Sequence, residues 1–258
     1  MKLISLNLWA GREYDKLAKF VKEKSNDVDI FCFQEMLDIK ASDRNTLLES
    51  AKSAYAQSNT NQVNDLYKRL KKLLPHFNSF LSESYSSGGE RIAIFFKDDL
   101  RIISNGYFKT SEKFTVLVGK EAFSVSSMIQ YITFEKDSKV YTIANIHGLW
   151  QGGGKLDTPE RLYQSDRINE FLNGVKGRKI LVGDFNLLPD TESIRRIDGT
   201  VLDLIKKYDI KTTRSVLAAP SKGKHADYAF VSRDVKVNSF EVLQVAVSDH
   251  LPLYLDFS

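Results

Sequence analysis

Hydrophobic and polar positions follow three regimes along the chain. Residues 3–8 form a short apolar run and predict a strand. Residues 14–24 place Leu17, Phe20 and Val21 at the spacing of one helix face. Residues 28–33 are continuously apolar, which suits a strand buried on both faces. Residues 43–74 are polar and lack Gly and Pro, predicting two helices separated near Ser58-Asn59-Thr60-Asn61.

The next hundred residues change period. Segments 77–81, 91–96, 102–108, 114–118, 123–134 and 140–146 are β-branched and aromatic, punctuated by Gly, Asn, Asp and Lys, and predict an antiparallel meander. Residues 158–172 return to helical spacing behind Thr158-Pro159, a cap and first position. Strands at 179–182, 228–231, 239–245 and 253–257 complete the pattern. Each half opens strand–helix–strand, and no Pro/Gly linker separates the halves. The expectation is one domain over residues 1–258, an α/β fold with two sheets packed face to face and helices outside.

Composition narrows this modestly. A chain of 258 residues with 42% hydrophobic and 27% charged side chains is that of a globular protein with a full core. Cys32 is the single cysteine, so no internal disulfide forms, and its apolar surroundings make it a buried structural thiol. The start, Met1-Lys2-Leu3-Ile4-Ser5-Leu6-Asn7, is too quickly polar for a signal peptide, and no run of about 18 apolar residues predicts a membrane span. A cytoplasmic location is the default expectation. A net charge of +4 permits a polyanionic partner without requiring one. The basic run Lys68-Arg69-Leu70-Lys71-Lys72 reads as the solvated face of a helix.

Candidate chemistry gathers where polar residues directly follow apolar strands. The segments are Ser5-Leu6-Asn7, Phe33-Gln34-Glu35, Asn145-Ile146-His147, Gly183-Asp184-Phe185-Asn186 and Val247-Ser248-Asp249-His250; Asp227 instead precedes a strand. Strand ends on one side of a sandwich converge, and carboxylates gathered there repel unless a cation neutralises them. The oxygen-rich set Asn7, Glu35, Asp184, Asn186 and Asp249 suits Mg²⁺ or Mn²⁺ rather than structural zinc. A hard cation beside a His is equipment for phosphoester hydrolysis. Taken singly, each residue has an ordinary structural reading as a turn, a cap or a strand end.

Taken in order, Ser5-Leu6-Asn7-Leu8-Trp9, Phe33-Gln34-Glu35, Asn145-Ile146-His147-Gly148, Gly183-Asp184-Phe185-Asn186 and Ser248-Asp249-His250 resemble the endonuclease/exonuclease/phosphatase superfamily. The resemblance implies a four-layer sandwich of two mainly antiparallel β-sheets flanked by helices, and metal-dependent attack of water on phosphorus. It casts Glu35 as principal metal ligand with Asn7 beside it, and Asp249 as a ligand or an orienting partner. It casts Asp184 as the residue that orients or deprotonates water, and Asn186 as a phosphate holder. His250 and His147 become phosphate contacts or acid, and Asp227 the group that orients a His. A pairing of Glu90 with His147 is a looser carry-over, because Gly88-Gly89-Glu90 departs from the superfamily's pattern.

The scaffold serves many leaving groups. A nucleic-acid phosphodiester is the first expectation, from the mild positive charge, from Trp9 and Trp150 as stacking candidates, and from Lys155, Arg161, Lys222 and Lys224 as a phosphate track. A small phosphorylated molecule or lipid head group is the alternative. An inactive binding scaffold is the non-enzymatic rival, weighed down by the presence of every expected ligand and base. The Gly-rich stretch Gly148-Leu149-Trp150-Gln151-Gly152-Gly153-Gly154-Lys155 permits either close approach to a ligand or a plain surface loop.

Overall fold

The computed structural model describes residues 1–39, 62–118, 121–152 and 154–258. The elements are β1 (Lys2–Asn7), α1 (Tyr14–Lys24), β2 (Ile30–Leu37), α2 (Leu66–Leu73), β3 (Phe77–Leu81), β4 (Glu90–Lys97), β5 (Ile102–Lys109), β6 (Phe114–Val118), β7 (Glu121–Val125), β8 (Met128–Lys136) and β9 (Lys139–His147). There follow α3 (Pro159–Gly174), β10 (Arg178–Asp184), α4 (Glu192–Asp198), β11 (Leu202–Asp203), α5 (Leu204–Lys207), β12 (Asp227–Val231), β13 (Val237–Val242) and β14 (Leu253–Phe257).

Two six-stranded sheets run in the orders β13-β14-β1-β2-β4-β3 and β11-β12-β10-β9-β8-β5. In each, one central pair is parallel, β1 with β2 and β9 with β10, and every other pair is antiparallel. Each parallel pair is joined through a helix, α1 or α3, as parallel neighbours require. The halves are therefore alike in topology: β1-α1-β2 leads to β3-β4, and β9-α3-β10 leads to β11-β12. Each half then sends its next strands to the other sheet. β5 and β8 extend the sheet of β9, and β13 and β14 extend the sheet of β1. This exchange ties the sheets together covalently at both edges.

The inner faces supply one apolar layer. Leu3, Ile30, Cys32, Ile94 and Leu255 from the first sheet meet Ile129, Ile143, Ile180, Val182 and Phe230 from the second, all essentially without solvent contact. The outer face of the first sheet, including Ile4, Phe31, Phe33 and Phe95, packs on Leu17 and Val21 of α1 and on Leu66 and Leu70 of α2. Burying a side chain of this size contributes roughly 1.5–3 kcal/mol. Lys68, Arg69, Lys71 and Lys72 of α2 are exposed, as the basic run requires. The Thr158 hydroxyl accepts from Arg161 N at 3.3 Å and Pro159 opens α3, the expected cap.

Several elements depart from the pattern. The apolar run 123–134 is not one strand. It breaks at Ser126-Ser127, where Ser126 Oγ donates to the Tyr85 carbonyl and Ser127 N donates to Ser111 Oγ, so β7 leaves as a hairpin with β6 and β8 joins the second sheet. α4, β11 and α5 are short and have too little periodicity to be legible in the sequence. The first of the two helices expected over 43–74 lies outside the described residues; the second is α2. Among the described residues no helix is long and apolar enough to cross a membrane.

Candidate active site

The two parallel pairs end on the same side of the sandwich, and the candidate residues sit there. Asn7, Glu35, His147 and Asp184 lie at or near the C-terminal ends of β1, β2, β9 and β10; Asp227 begins β12, and Asp249-His250 precede β14. Local backbone devices aim them. β2 slips register between Phe33 and Met36, and Glu35 sits in that bulge at φ 52°. A side chain held at positive φ is strained by about 1–2 kcal/mol and persists where surroundings fix it. Asn145 of the other sheet does so here, donating from Nδ2 to the Phe33 and Ala93 carbonyls at 3.0 and 3.2 Å.

After β10 the chain turns on Asp184-Phe185-Asn186. Asp184 Oδ1 accepts from Asn186 N at 2.8 Å, and Asn186 takes φ 55°. Asn186 Nδ2 donates to the Gly148 carbonyl at 3.1 Å. Gly148 N donates to the Asp184 carbonyl at 2.6 Å, and a Cβ on Gly148 would collide with the Phe185 backbone. Gly148 is thus a close-approach glycine that keeps His147 beside Asp184.

Around the pocket the distances are short. Asn7 Nδ2 donates to Glu35 Oε1 and to Asp184 Oδ2, both at 3.0 Å, while Asn7 Oδ1 accepts from Trp9 N. His147 Nε2 lies 3.8 Å from each of the same two carboxylate oxygens. On the other flank His250 Nε2 is 3.6 Å from Asp184 Oδ2, and His250 Nδ1 lies 2.8 and 2.9 Å from the two oxygens of Asp227. Glu35 is half-buried; the others are buried.

Charge in so dry a space is balanced locally. Burial alone would raise the Asp184 pKa, but His250, Lys155, His147 and Arg214 hold it well below the usual carboxylate range. For His250, burial pulls the pKa down and Arg214 adds to that, yet Asp227, Asp249 and Asp184 outweigh them and the balance is upward. Cys32 is buried and apolar burial raises its thiol pKa, so it is no nucleophile.

Asp184, Asp227 and His250 bring potential ligand atoms within 4.8 Å of one another. Both oxygens of Asp227 are already committed to His250 Nδ1, which makes that trio a hydrogen-bonded relay rather than a cation cage. The better fit for a hard cation is the opposite flank. There the oxygens of Glu35 and Asp184 converge on a single Asn7 amide; Asp249 stands on the His250 flank, its buried Oδ1 without a hydrogen-bond partner and 3.8 Å from His250 Nε2. Such an all-oxygen set suits a divalent ion of the Mg²⁺ type.

Two expectations need correcting. Arg161 does not line a phosphate track. It is buried in α3, donating to the carbonyls of Leu149 and Leu156. His147 Nδ1 is buried without a hydrogen-bond partner, so Glu90 does not orient His147 through that atom. Glu90 instead accepts from Ser86 Oγ, and the ring of Tyr85 lies against His147 with centroids 4.8 Å apart. Trp150 packs edge-on against Phe123 in a satellite cluster under the β6–β7 hairpin.

Arg214 is the site residue the sequence did not reveal. Residues 213–215 run beside 249–251, with Ser215 N donating to the Asp249 carbonyl and Leu251 N to that of Thr213. This places Arg214 Nη1 3.1 Å from Asp249 Oδ2 and 2.5 Å from His250 Nε2. Arginine carries only donors, so Nε2 is the acceptor here and Nδ1–H points at Asp227. The signal was a lone arginine in Thr212-Thr213-Arg214-Ser215, a run with no acid and no strand period.

Comparison with solved structures shows the same architecture. Bacteroides thetaiotaomicron mannosyl-6-phosphatase Bt3783 matches at TM-score 0.70 and 19% identity, covering 100% of this chain and 99% of that one. D. rerio TDP2 complexed with single-strand DNA product matches at 0.67 and 13%, covering 100% and 98%. The human nocturnin catalytic domain with bound sulfate matches at 0.60 and 18%, covering 100% and 93%. No curated protein sequence compared with the chain matches it. The family model of the Endonuclease/Exonuclease/phosphatase family matches residues 4–250, so the chain belongs to that family, whose members are metal-dependent hydrolases of phosphate esters.

Proposed function

We propose that this chain uses Mg²⁺, with Mn²⁺ as a substitute, to hydrolyse a phosphate ester by attack of water on phosphorus. The observation that carries the reading is the convergence of Glu35 Oε1 and Asp184 Oδ2 on Asn7 Nδ2, with the His250–Asp227 pair 3.6 Å from the same Asp184 oxygen. Glu35 and Asp249 would hold the ion, with Asn7 joining through Oδ1 once its amide turns over from Trp9 N. When bound, it draws charge from the phosphoryl oxygens and the leaving group. Asp184, held ionised, accepts a hydrogen bond from the attacking water and aims it. His250, kept in one orientation by Asp227, donates from Nε2 to a phosphoryl oxygen once protonated. Asn186 and His147 complete the contacts, Asn186 through an amide already fixed on Gly148.

The carrier of the ester is read from the walls. With Arg161 inside α3 and Trp150 packed on Phe123, the track proposed for a polyanion shrinks to exposed Lys222 and Lys224. A small phosphorylated compound is therefore the first reading. A nucleic-acid ester is the second, favoured by those two lysines and by half-buried Trp9, over which Arg12 stacks at 4.8 Å. Hydrolysis of a chromogenic phosphate ester in ¹⁸O-water, with chelator and then with Mg²⁺, tests the chemistry. The label is expected in the phosphate and activity is expected to return with the ion. Label in the alcohol, or full activity in chelator, overturns it.

A further inference from the structure

Two buried cations at the pocket help keep Asp184 ionised and take no part in the proposed attack on phosphorus. Lys155, at the end of the Gly-rich stretch, is only 9% exposed. Its Nζ makes one long hydrogen bond, 3.4 Å to the His225 carbonyl, and no salt bridge among the described residues. An ammonium buried without an ion pair is costly, and burial pushes its pKa down to about 8 against the pull of Asp184 and Asp227. Arg214 is buried too, and its Nε has no hydrogen-bond partner. Its Nη1 occupies the space in front of His250 Nε2, at 2.5 Å.

That second contact separates Arg214 from a merely structural partner of Asp249. A phosphoryl oxygen cannot reach His250 Nε2 while a guanidinium N–H stands there. On substrate binding the guanidinium must yield that place, and the arriving oxygen is a better acceptor for it than an imidazole nitrogen. Lys155 has the complementary property. Its ammonium makes no ion pair among the described residues, and Asp184 and Asp227 offset it only from beyond ion-pair distance.

We propose that Arg214 and Lys155 form a receptor for the non-bridging oxygens of a terminal phosphate, making the substrate a phosphomonoester rather than a phosphodiester. The inference rests on the hydrolase reading above. A monoester is a dianion near neutral pH and offers three non-bridging oxygens, whereas a diester is a monoanion with two. The extra oxygen and the extra charge match the Arg214 fork and the Lys155 ammonium, which has no ion pair among the described residues.

The test separates this receptor from the hydrolysis itself. Inorganic phosphate and dimethyl phosphate are titrated by calorimetry into the wild type, Arg214→Gln and Lys155→Met in Mg²⁺. Turnover of p-nitrophenyl phosphate and of methyl p-nitrophenyl phosphate is measured in parallel. The wild type is expected to favour phosphate over dimethyl phosphate in binding, and the monoester in kcat/KM. Each variant is expected to lose roughly ten- to a hundredfold in phosphate affinity, the worth of one charge-assisted hydrogen bond, with little change for dimethyl phosphate. Equal binding of both probes by the wild type, or equal loss of both in the variants, overturns the receptor. Should Arg214→Gln fail to give the wild-type circular dichroism spectrum, Arg214→Lys keeps the charge without the fork and is expected to lose phosphate affinity selectively; retention at the wild-type level overturns the role of Arg214. A protein that shows the expected binding yet hydrolyses nothing with any divalent ion keeps the receptor and removes the hydrolase reading. One that turns over the diester faster than the monoester does the reverse.

Discussion

Gln34 and Asn145 stand in different sheets and are hydrogen-bonded to each other, Gln34 Nε2 to Asn145 Oδ1, at 2.6 Å, with neither side chain reaching solvent. Asn145 also donates to the two carbonyls left over by the β2 bulge, so the pair ties the sheets together at the point that aims Glu35. Removing Asn145 takes the side-chain donor from two buried carbonyls, while Gln34 Nε2 keeps Ser5 Oγ and the Cys32 carbonyl. Asn145→Leu is expected to destabilise by about 2–4 kcal/mol, since each orphaned buried group costs on the order of 1–3 kcal/mol and the neighbours relax in part. Urea unfolding monitored by tyrosine and tryptophan fluorescence measures it. A loss below about 0.5 kcal/mol, the scale of an ordinary surface change, would show that the tie contributes little.

The His250–Asp227 pair sets the second prediction. Asp227→Asn keeps the shape but presents an amide that no longer demands a proton on Nδ1. The ring can then reverse its tautomer and lose its orientation toward the phosphate. A fall in kcat of roughly 10²- to 10⁴-fold is expected, the range for a positioned acid–base group. Because Asp227 raises the His250 pKa, the basic limb of the pH–rate profile should also move to lower pH in the variant. A profile whose limb stays fixed while kcat falls would assign Asp227 to the fold and not to His250.

Glu35 provides a test of the metal. Glu35→Gln keeps the side-chain volume and an oxygen for Asn7, and removes the charge that makes the pocket a cation site. Mg²⁺ affinity by calorimetry is expected to drop by at least about tenfold, one hydrogen-bond energy's worth, with activity falling alongside and melting temperature unchanged or raised. Unaltered Mg²⁺ binding would move the ion elsewhere.

What was legible in the sequence follows from how local each signal is. Asp184-Phe185-Asn186 and Ser248-Asp249-His250 announce themselves because several site residues are adjacent in the chain and follow apolar strands. The sandwich itself was readable from period and punctuation, although the exchange of β5 and β8 for β13 and β14 between sheets was not, since no local residue encodes which sheet a strand joins. Arg214 was invisible for a related reason. Its neighbours are threonines and a serine, and its meaning lies in the bridge to His250, 36 residues away. Arg161 misled in the opposite direction: a charged residue on an amphipathic helix normally faces water, but here two loop carbonyls draw it inside. The break at Ser126-Ser127 was hidden by strong strand formers on both sides.

A last prediction concerns a buried acid far from the chemistry. Asp203 begins α5, its Oδ1 accepting from Ile205 N at 2.8 Å and Lys206 N at 3.2 Å, a helix cap. Burial, helped by nearby Asp198 and opposed by those backbone hydrogen bonds, pushes its pKa from 3.8 up to about 6. The folded state therefore holds the proton more tightly than the unfolded chain. The stability that protonated Asp203 contributes is complete below pH 3.8 and is lost as pH rises through about 6. Asp203→Asn keeps an oxygen acceptor for both N–H groups and never ionises, so it escapes that loss. Relative to the wild type, the variant should gain on the order of 1–3 kcal/mol at pH 8, from about 1.4 kcal/mol per pKa unit, and nothing near pH 4. Taking the difference between the two proteins cancels the titration of every other group. Paired urea titrations at pH 4, 6 and 8 give the curve directly. A difference that stays constant across the three would mean that Asp203 titrates alike in the folded and unfolded chains, and the burial argument for it would fail.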